Sequence, residues 1–112
     1  VTANIEALIP AYRSRAEEDY AAIGHVLIAD EFRQKVMLTM YEPMAFYIPG
    51  GRYRPDFMHI LEDGSVVFVE VKKNKHLKSY RDSRAKLRAA AVVFPFFTWV
   101  MSLDLVLEAI NE

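Results

Sequence analysis

Asp56, Glu70 and Lys72 form a set of two acids and one ammonium that can act jointly on a phosphate. They flank an apolar stretch interrupted by Glu62-Asp63-Gly64-Ser65, which has the composition of a tight turn. With the turn centred on Asp63-Gly64, the segments on either side pair as a β-hairpin. Asp56 then falls opposite Glu70 if the loop holds three residues, or opposite Val71 if it holds two. Directly opposed residues have Cβ atoms about 5 Å apart. Glu70 and Lys72 share one face of their strand, and Val69 and Val71 turn to the other, as a core requires. Pro55 suits a strand start or an edge.

Two carboxylates so close repel each other, and without a cation one of them tends to take up a proton. A divalent ion relieves that repulsion. Oxygen donors without cysteine or paired histidine select Mg²⁺, with Mn²⁺ as its substitute, over Zn²⁺. Such an ion polarises a phosphate oxygen and makes a water more acidic. Lys72 would orient that water or stabilise charge in the transition state, and the backbone carbonyl of Val71 is an additional oxygen donor. The chemistry expected of this set is phosphodiester hydrolysis. The same residue types also form ordinary cross-strand salt bridges, which are worth little, so the rest of the chain has to decide.

The formal net charge is only −1, but the charges are segregated. Lys72, Lys73, Lys75, Lys78, Arg81, Arg84, Lys86 and Arg88 follow the hairpin with Asp82 as their one acid, whereas the first 31 residues hold six acids against Arg13 and Arg15. Local fields of this kind steer anionic partners. Arg81, Arg84 and Arg88 recur on one helical face and suit backbone phosphates; Lys73, Lys75 and His76 belong to the loop expected nearest the scissile bond, and Lys86 is a weaker candidate. Tyr53 and Arg54 could contact nucleic acid, Tyr53 being equally suited to packing. His25, His59 and His76 lack ligand spacing and read as structural or surface residues, with His59 expected to face away from Phe57 and Leu61. Phe94, Phe96, Phe97 and Trp99 read as core or interface.

These residues need elements to hold them. The opening reads as helix, capped by Thr2 or Asn4 and bounded at Pro10; a second helical stretch runs from Ala11 to about Ile23 and closes at Gly24, with Ser14 and Glu17 as a capping box. A strand is expected from about Arg33 to Tyr41 and another from Glu42 to Tyr47, ended by the turn Ile48-Pro49-Gly50-Gly51. After the hairpin come a helix over Ser79 to Val93, with Leu87, Ala90 and Ala91 inward, and a strand from Phe96. A last helix is expected, capped by Ser102, with Leu103, Val106, Leu107 and Ile110 as its apolar stripe. The order predicts a single α/β domain over residues 1–112.

Pro55-Asp56 and Glu70-Val71-Lys72 resemble the signature of the PD-(D/E)XK nuclease superfamily. Ser14 to Tyr20, Tyr41-Glu42-Pro43, Tyr53-Arg54-Pro55-Asp56-Phe57 and the run from Asp82 to Ala90 through Pro95-Phe96 are similar to its small stand-alone phage and prophage endonucleases, so the resemblance covers about Ser14 to Val100. It implies a restriction-endonuclease-like core, a central mixed β-sheet flanked by helices. It also implies that Asp56 and Glu70 bind metal, that Lys72 is catalytic, and that Glu17, three residues before Tyr20, is an outer or second-metal carboxylate, with Glu18 as the alternative. Many relatives have Gly after the Lys where this chain has Lys73, which alters the following loop.

The expected protein is a Mg²⁺-dependent endonuclease acting on DNA, with RNA sharing the same backbone charge. Its small size favours recognition of shape, such as branched DNA, over sequence. A two-fold homodimer, built on the last helix and the aromatics near Phe96, would suit cutting both strands. The rival reading is a non-catalytic DNA-binding or assembly module that keeps the fold but has no need of Asp56, Glu70 and Lys72 together. The absence of cysteine leaves no disulfide framework and fits a reducing cytoplasm, that of a bacterial host for a phage protein. No apolar run approaches the roughly 18 residues of a membrane span, and the N-terminus lacks a signal-peptide layout.

Overall fold

The capping box sets the first element. In the computed structural model, which describes residues 11–110, helix α1 spans Arg15–Phe32, and the Ser14 hydroxyl oxygen accepts the Glu17 N–H at 3.2 Å. The expected opening helix, with its Thr2 or Asn4 cap and the Pro10 boundary, lies outside the described residues. Gly24 does not end α1. The helix runs on to Arg33, whose left-handed backbone (φ 53°) returns its N–H to the Ala29 carbonyl. Gly24 instead serves a close approach, because a Cβ there would stand 2.3 Å from the buried Tyr20 ring.

The remaining chain forms strands β1 (Val36–Tyr41), β2 (Phe46–Ile48), β3 (Gly51–Tyr53), β4 (Phe57–Leu61) and β5 (Val66–Lys72), then helix α2 (Lys78–Val93), then β6 (Thr98–Leu103) and β7 (Val106–Ala109). The main sheet is mixed, in the order β1-β4-β5-β6-β7, with β5 and β6 parallel and joined through α2. β2 and β3 form a separate hairpin across the Pro49-Gly50 turn. The β4–β5 register pairs Phe57 with Val69 and Ile60 with Val66, the three-residue alternative, closed by Gly64 at φ 86°.

The expected final helix is a correction. Ser102 lies inside β6, the chain turns at Asp104 and Leu105 with φ of 48° and 67°, and β7 returns antiparallel beside β6. A short apolar run cannot distinguish helical spacing from a strand, and pairing with β6 supplies the backbone partners a short helix would have to find within itself. The surface expected there is thus carried by a strand rather than a helix; Val106 of β7 stands 68% exposed, and Phe96 stands 75% exposed in the turn before β6.

Strand parity sorts the side chains into two cores. Phe57, Leu61, Val67, Val69, Val71 and Val100 pack with Tyr20 and Ile28 of α1. Met58, Phe68, Trp99 and Met101 pack on the other face with Leu87, Ala90 and Ala91 of α2 and with Phe46 and Tyr53 of the small hairpin. Trp99 is a core residue, fully buried and stacked on Phe68 with ring centroids 4.8 Å apart. His59 shares the face of Phe57 and Leu61, as their common parity in β4 requires, and so does not face away from them; it meets α1 through Tyr20. Among the described residues no helix is long and apolar enough to cross a membrane.

Candidate functional site

Glu70 stands on the α2 face of β5, only 6% exposed, where a carboxylate has lost most of its water. Three groups reach it. The Tyr53 phenol of β3 donates to Oε1 at 2.8 Å, and the Ser83 hydroxyl of α2 and the Asp56 carboxyl also hydrogen-bond it. The Lys72 ammonium lies 4.0 Å from Oε2 on the same strand face. Asp56 sits one residue before β4, and its Oδ2 accepts the Val71 N–H at 2.8 Å. That parity turns the Val71 carbonyl to the same side. Pro55, just before Asp56, has no N–H with which to continue the ladder.

Burial pushes the Asp56 carboxyl up to about 8, and the neighbouring Glu70 charge adds to the shift, against the Val71 N–H. Burial also raises Glu70, opposed by its bonds to Tyr53 and Ser83 and by Lys72. Tyr53 is raised well above the ordinary phenol by burial and then by the Glu70 charge, so it acts as a donor. Both shifts favour the protonated forms, so the pair resists carrying two charges at once. Lys72 alone does not compensate two desolvated charges.

The acids open into a cleft of about 310 Å³ lined by Arg13, Glu17, Arg52, Tyr53, Arg54, Asp56, Glu70, Lys72, Ser83 and Lys86. All four side chains expected to act thus share one cavity. Glu17, on the first turn of α1, is held back at its wall: Oε1 accepts the Tyr41 hydroxyl at 2.5 Å, and Ser14 lies 3.4 Å from Oε2. Glu18 is exposed and does not line the cleft. Among the described residues no three acidic or histidine side chains converge closely enough to ligate one ion as they stand. Asp56 and Glu70 nevertheless fit Mg²⁺, which characteristically takes one or two protein carboxylates and completes its shell with water and phosphate oxygens.

The basic residues divide. Lys86, the weaker candidate, lines the cleft, as do Arg13, Arg52 and Arg54. Arg81, Arg84 and Arg88 do share a face, around a separate shallow depression, and Arg84 is bonded there to Glu108 of β7 at 2.6 Å. Lys73 lines a small hollow beside Ala16 and Asp19 of α1, and Lys75 and His76 lie exposed in the following loop. Sequence reasoning missed Ser83, Arg13 and Arg52. Ser83 had a signal: it falls on the buried stripe of Leu87 and Ala90, a hydroxyl where an apolar group is expected. Arg13 and Arg52 had none, because only tertiary packing brings them to the acids.

Comparison with protein-family models, with curated proteins and with solved structures gives no significant match.

Proposed function

We propose that this protein is a divalent-metal-dependent endonuclease of the PD-(D/E)XK type, with a restriction-endonuclease-like core, hydrolysing DNA phosphodiester bonds. One observation carries the reading: buried Glu70 beside half-buried Asp56, with Lys72 next to them, in a cleft lined also by three arginines and Lys86. Desolvating two acids together is costly unless a cation completes them, and acids perturbed in this way cluster at functional sites.

Asp56 and Glu70 would hold Mg²⁺ or Mn²⁺ through carboxylate oxygens, with the Val71 carbonyl as a further donor. Bound there, the cation supplies charge neutralisation for the phosphate and acidity for a water. Tyr53 and Ser83 keep the Glu70 carboxylate in one orientation. Lys72 offers its ammonium to the negative charge that builds on the phosphate oxygens. Glu17 belongs to the outer shell, released toward the cleft only if Tyr41 lets go. Arg13, Arg52, Arg54 and Lys86 hold the flanking phosphates, a contact DNA and RNA backbones share.

The test is nicking of a supercoiled plasmid in Mg²⁺ by the wild-type protein and by Asp56→Asn. Asparagine keeps an acceptor for the Val71 N–H and removes the charge. Cleavage by the wild type, lost in a variant that still retards DNA in a gel, supports the enzyme. Retardation by both with cleavage by neither makes the protein a binding module.

A further inference from the structure

The acid cleft is not closed at its Arg52–Lys86 side. A second hollow, of about 370 Å³, shares those two residues and continues between the β2–β3 turn and α2. Ile48 and Pro49 give it an apolar wall, and Ala85 and Ala89, one turn apart on α2, keep the opposite wall low. Arg52 stands at the junction, its guanidinium 5.7 Å from the centre of the exposed Tyr47 ring. Neither Arg52 nor Lys86 makes an ion pair among the described residues. Asp82 also lines the hollow, so its interior suits a neutral group while an anion belongs at the junction.

We infer that this hollow is a nucleotide subsite: the phosphate next to the scissile one bridges Arg52 and Lys86, and the attached sugar and base enter between the β2–β3 turn and α2. The inference rests on the nuclease reading of the acid cleft and adds the form of its substrate. The volume is at the lower end of ligand-holding clefts, about 300–1,000 Å³, which is room for one nucleotide but not for a base pair with both backbones. The strand must therefore be unpaired at that position, as at a flap, a junction or a single-stranded end. The path also leaves the Arg81–Arg84–Arg88 face to one side, since that depression shares only Ala85 with the hollow.

Anisotropy titration of a fluorescein-labelled oligothymidylate, and of the same strand paired with oligoadenylate, tests this with Ca²⁺ replacing Mg²⁺ to prevent cleavage. Ala89→Phe fills the hollow without touching the acid cleft. It should weaken the single strand by about tenfold or more and the duplex by less than about threefold, the scale of losing one base contact. Arg52→Ala with Lys86→Ala keeps the hollow open and should weaken both ligands. Arg81→Ala with Arg88→Ala should weaken both by a smaller factor. Ala89→Phe binding the strand as the wild type does, or losing strand and duplex equally, overturns the subsite, as does a wild type that binds no oligothymidylate. Mn²⁺ calorimetry on the same proteins reads the acid pair separately. Ala89→Phe should keep wild-type Mn²⁺ binding. A wild type that binds no Mn²⁺ defeats the nuclease reading, and strand discrimination still decides the hollow.

Discussion

The two faces of the β4–β5 hairpin each bury ionisable side chains and treat them oppositely. On the α1 face His59 is fully buried, and each ring nitrogen has a partner at 2.8 Å, Nε2 with the Tyr20 hydroxyl and Nδ1 with the Thr39 hydroxyl. Burial depresses it to about 4, so it is a neutral imidazole whose hydrogen-bonding capacity is used up. On the α2 face Asp56 and Glu70 are raised rather than satisfied: their neighbours orient them, yet burial and their proximity push both toward the protonated form. The histidine site is finished by the fold alone. The acid site is the one that opens to solvent, and on the reading proposed above it awaits a cation.

Asp56→Asn makes the sharpest break in that contrast. Loss of a metal-holding carboxylate should lower cleavage by about a thousandfold or more, roughly 4 kcal/mol of transition-state stabilisation. The same change should stabilise the metal-free fold at pH 8 by about 1–3 kcal/mol, because a neutral amide replaces a poorly compensated buried acid. Chemical denaturation beside the nicking assay reads both. An Asp56→Asn protein that is less stable and still cuts would make the pair an ordinary structural feature.

His59→Ala tests the other face and should do the reverse. Removing a filled, doubly bonded ring leaves a cavity and strips Tyr20 and Thr39 of their partner, at a cost of about 2–4 kcal/mol. Mn²⁺ affinity should not move in the fraction that stays folded, since His59 does not line the cleft. A parallel loss of Mn²⁺ binding would mean that the two faces are coupled.

What could be read from the chain follows the same division. The hairpin, its acids and α2 were legible because turn chemistry and two-residue alternation are local: Gly64 fixes the loop, and the loop fixes which residue meets Asp56. The Ser14–Glu17 cap was legible for the same reason, though nothing local shows that Glu17, whose N–H Ser14 accepts, also lines the cleft. Gly24 misled because a glycine inside a helix carries no mark separating a terminus from a close approach to Tyr20. β7 misled because four apolar positions fit either period, and only the free edge of β6 decides. The basic run gave the right helix but not which of its residues meets the acid cleft: Lys86 lines it, while Arg81, Arg84 and Arg88 surround a separate depression in which Arg84 is bonded to Glu108.

Tyr53→Phe refines the comparison at one atom. The ring stays in its pocket beside Phe46, and only the donor to Glu70 is removed. Orienting groups around metal ligands are worth about 10–100-fold in affinity, so Mn²⁺ binding should weaken by that factor with little change in folding. Tyr20→Phe is the matched change on the α1 face. It should cost about 1 kcal/mol of stability and leave Mn²⁺ binding untouched. A purely packing role for Tyr53 predicts no shift in either case.

The pH dependence of stability separates the two faces without any mutation. A raised acid binds protons more tightly folded than unfolded, so Asp56 favours the fold at low pH and withdraws that stabilisation as pH climbs from about 4 toward its folded value near 8. His59 acts in the opposite sense over a lower window: its unfolded form takes a proton below about 6.5 and the folded form does not until about 4, so its contribution grows as pH rises between them. Below about 6.5 the two partly cancel. Between there and 8 the acids act alone, and urea-unfolding free energy should fall by about 1–2 kcal/mol, allowing for the part-exposure of Asp56. Mn²⁺ should flatten that upper limb, and Asp56→Asn should remove it. His59→Ala should leave it unchanged. Stability that rises from pH 6.5 to 8, or an upper limb indifferent to Mn²⁺, would mean that these carboxyls are not waiting for a cation.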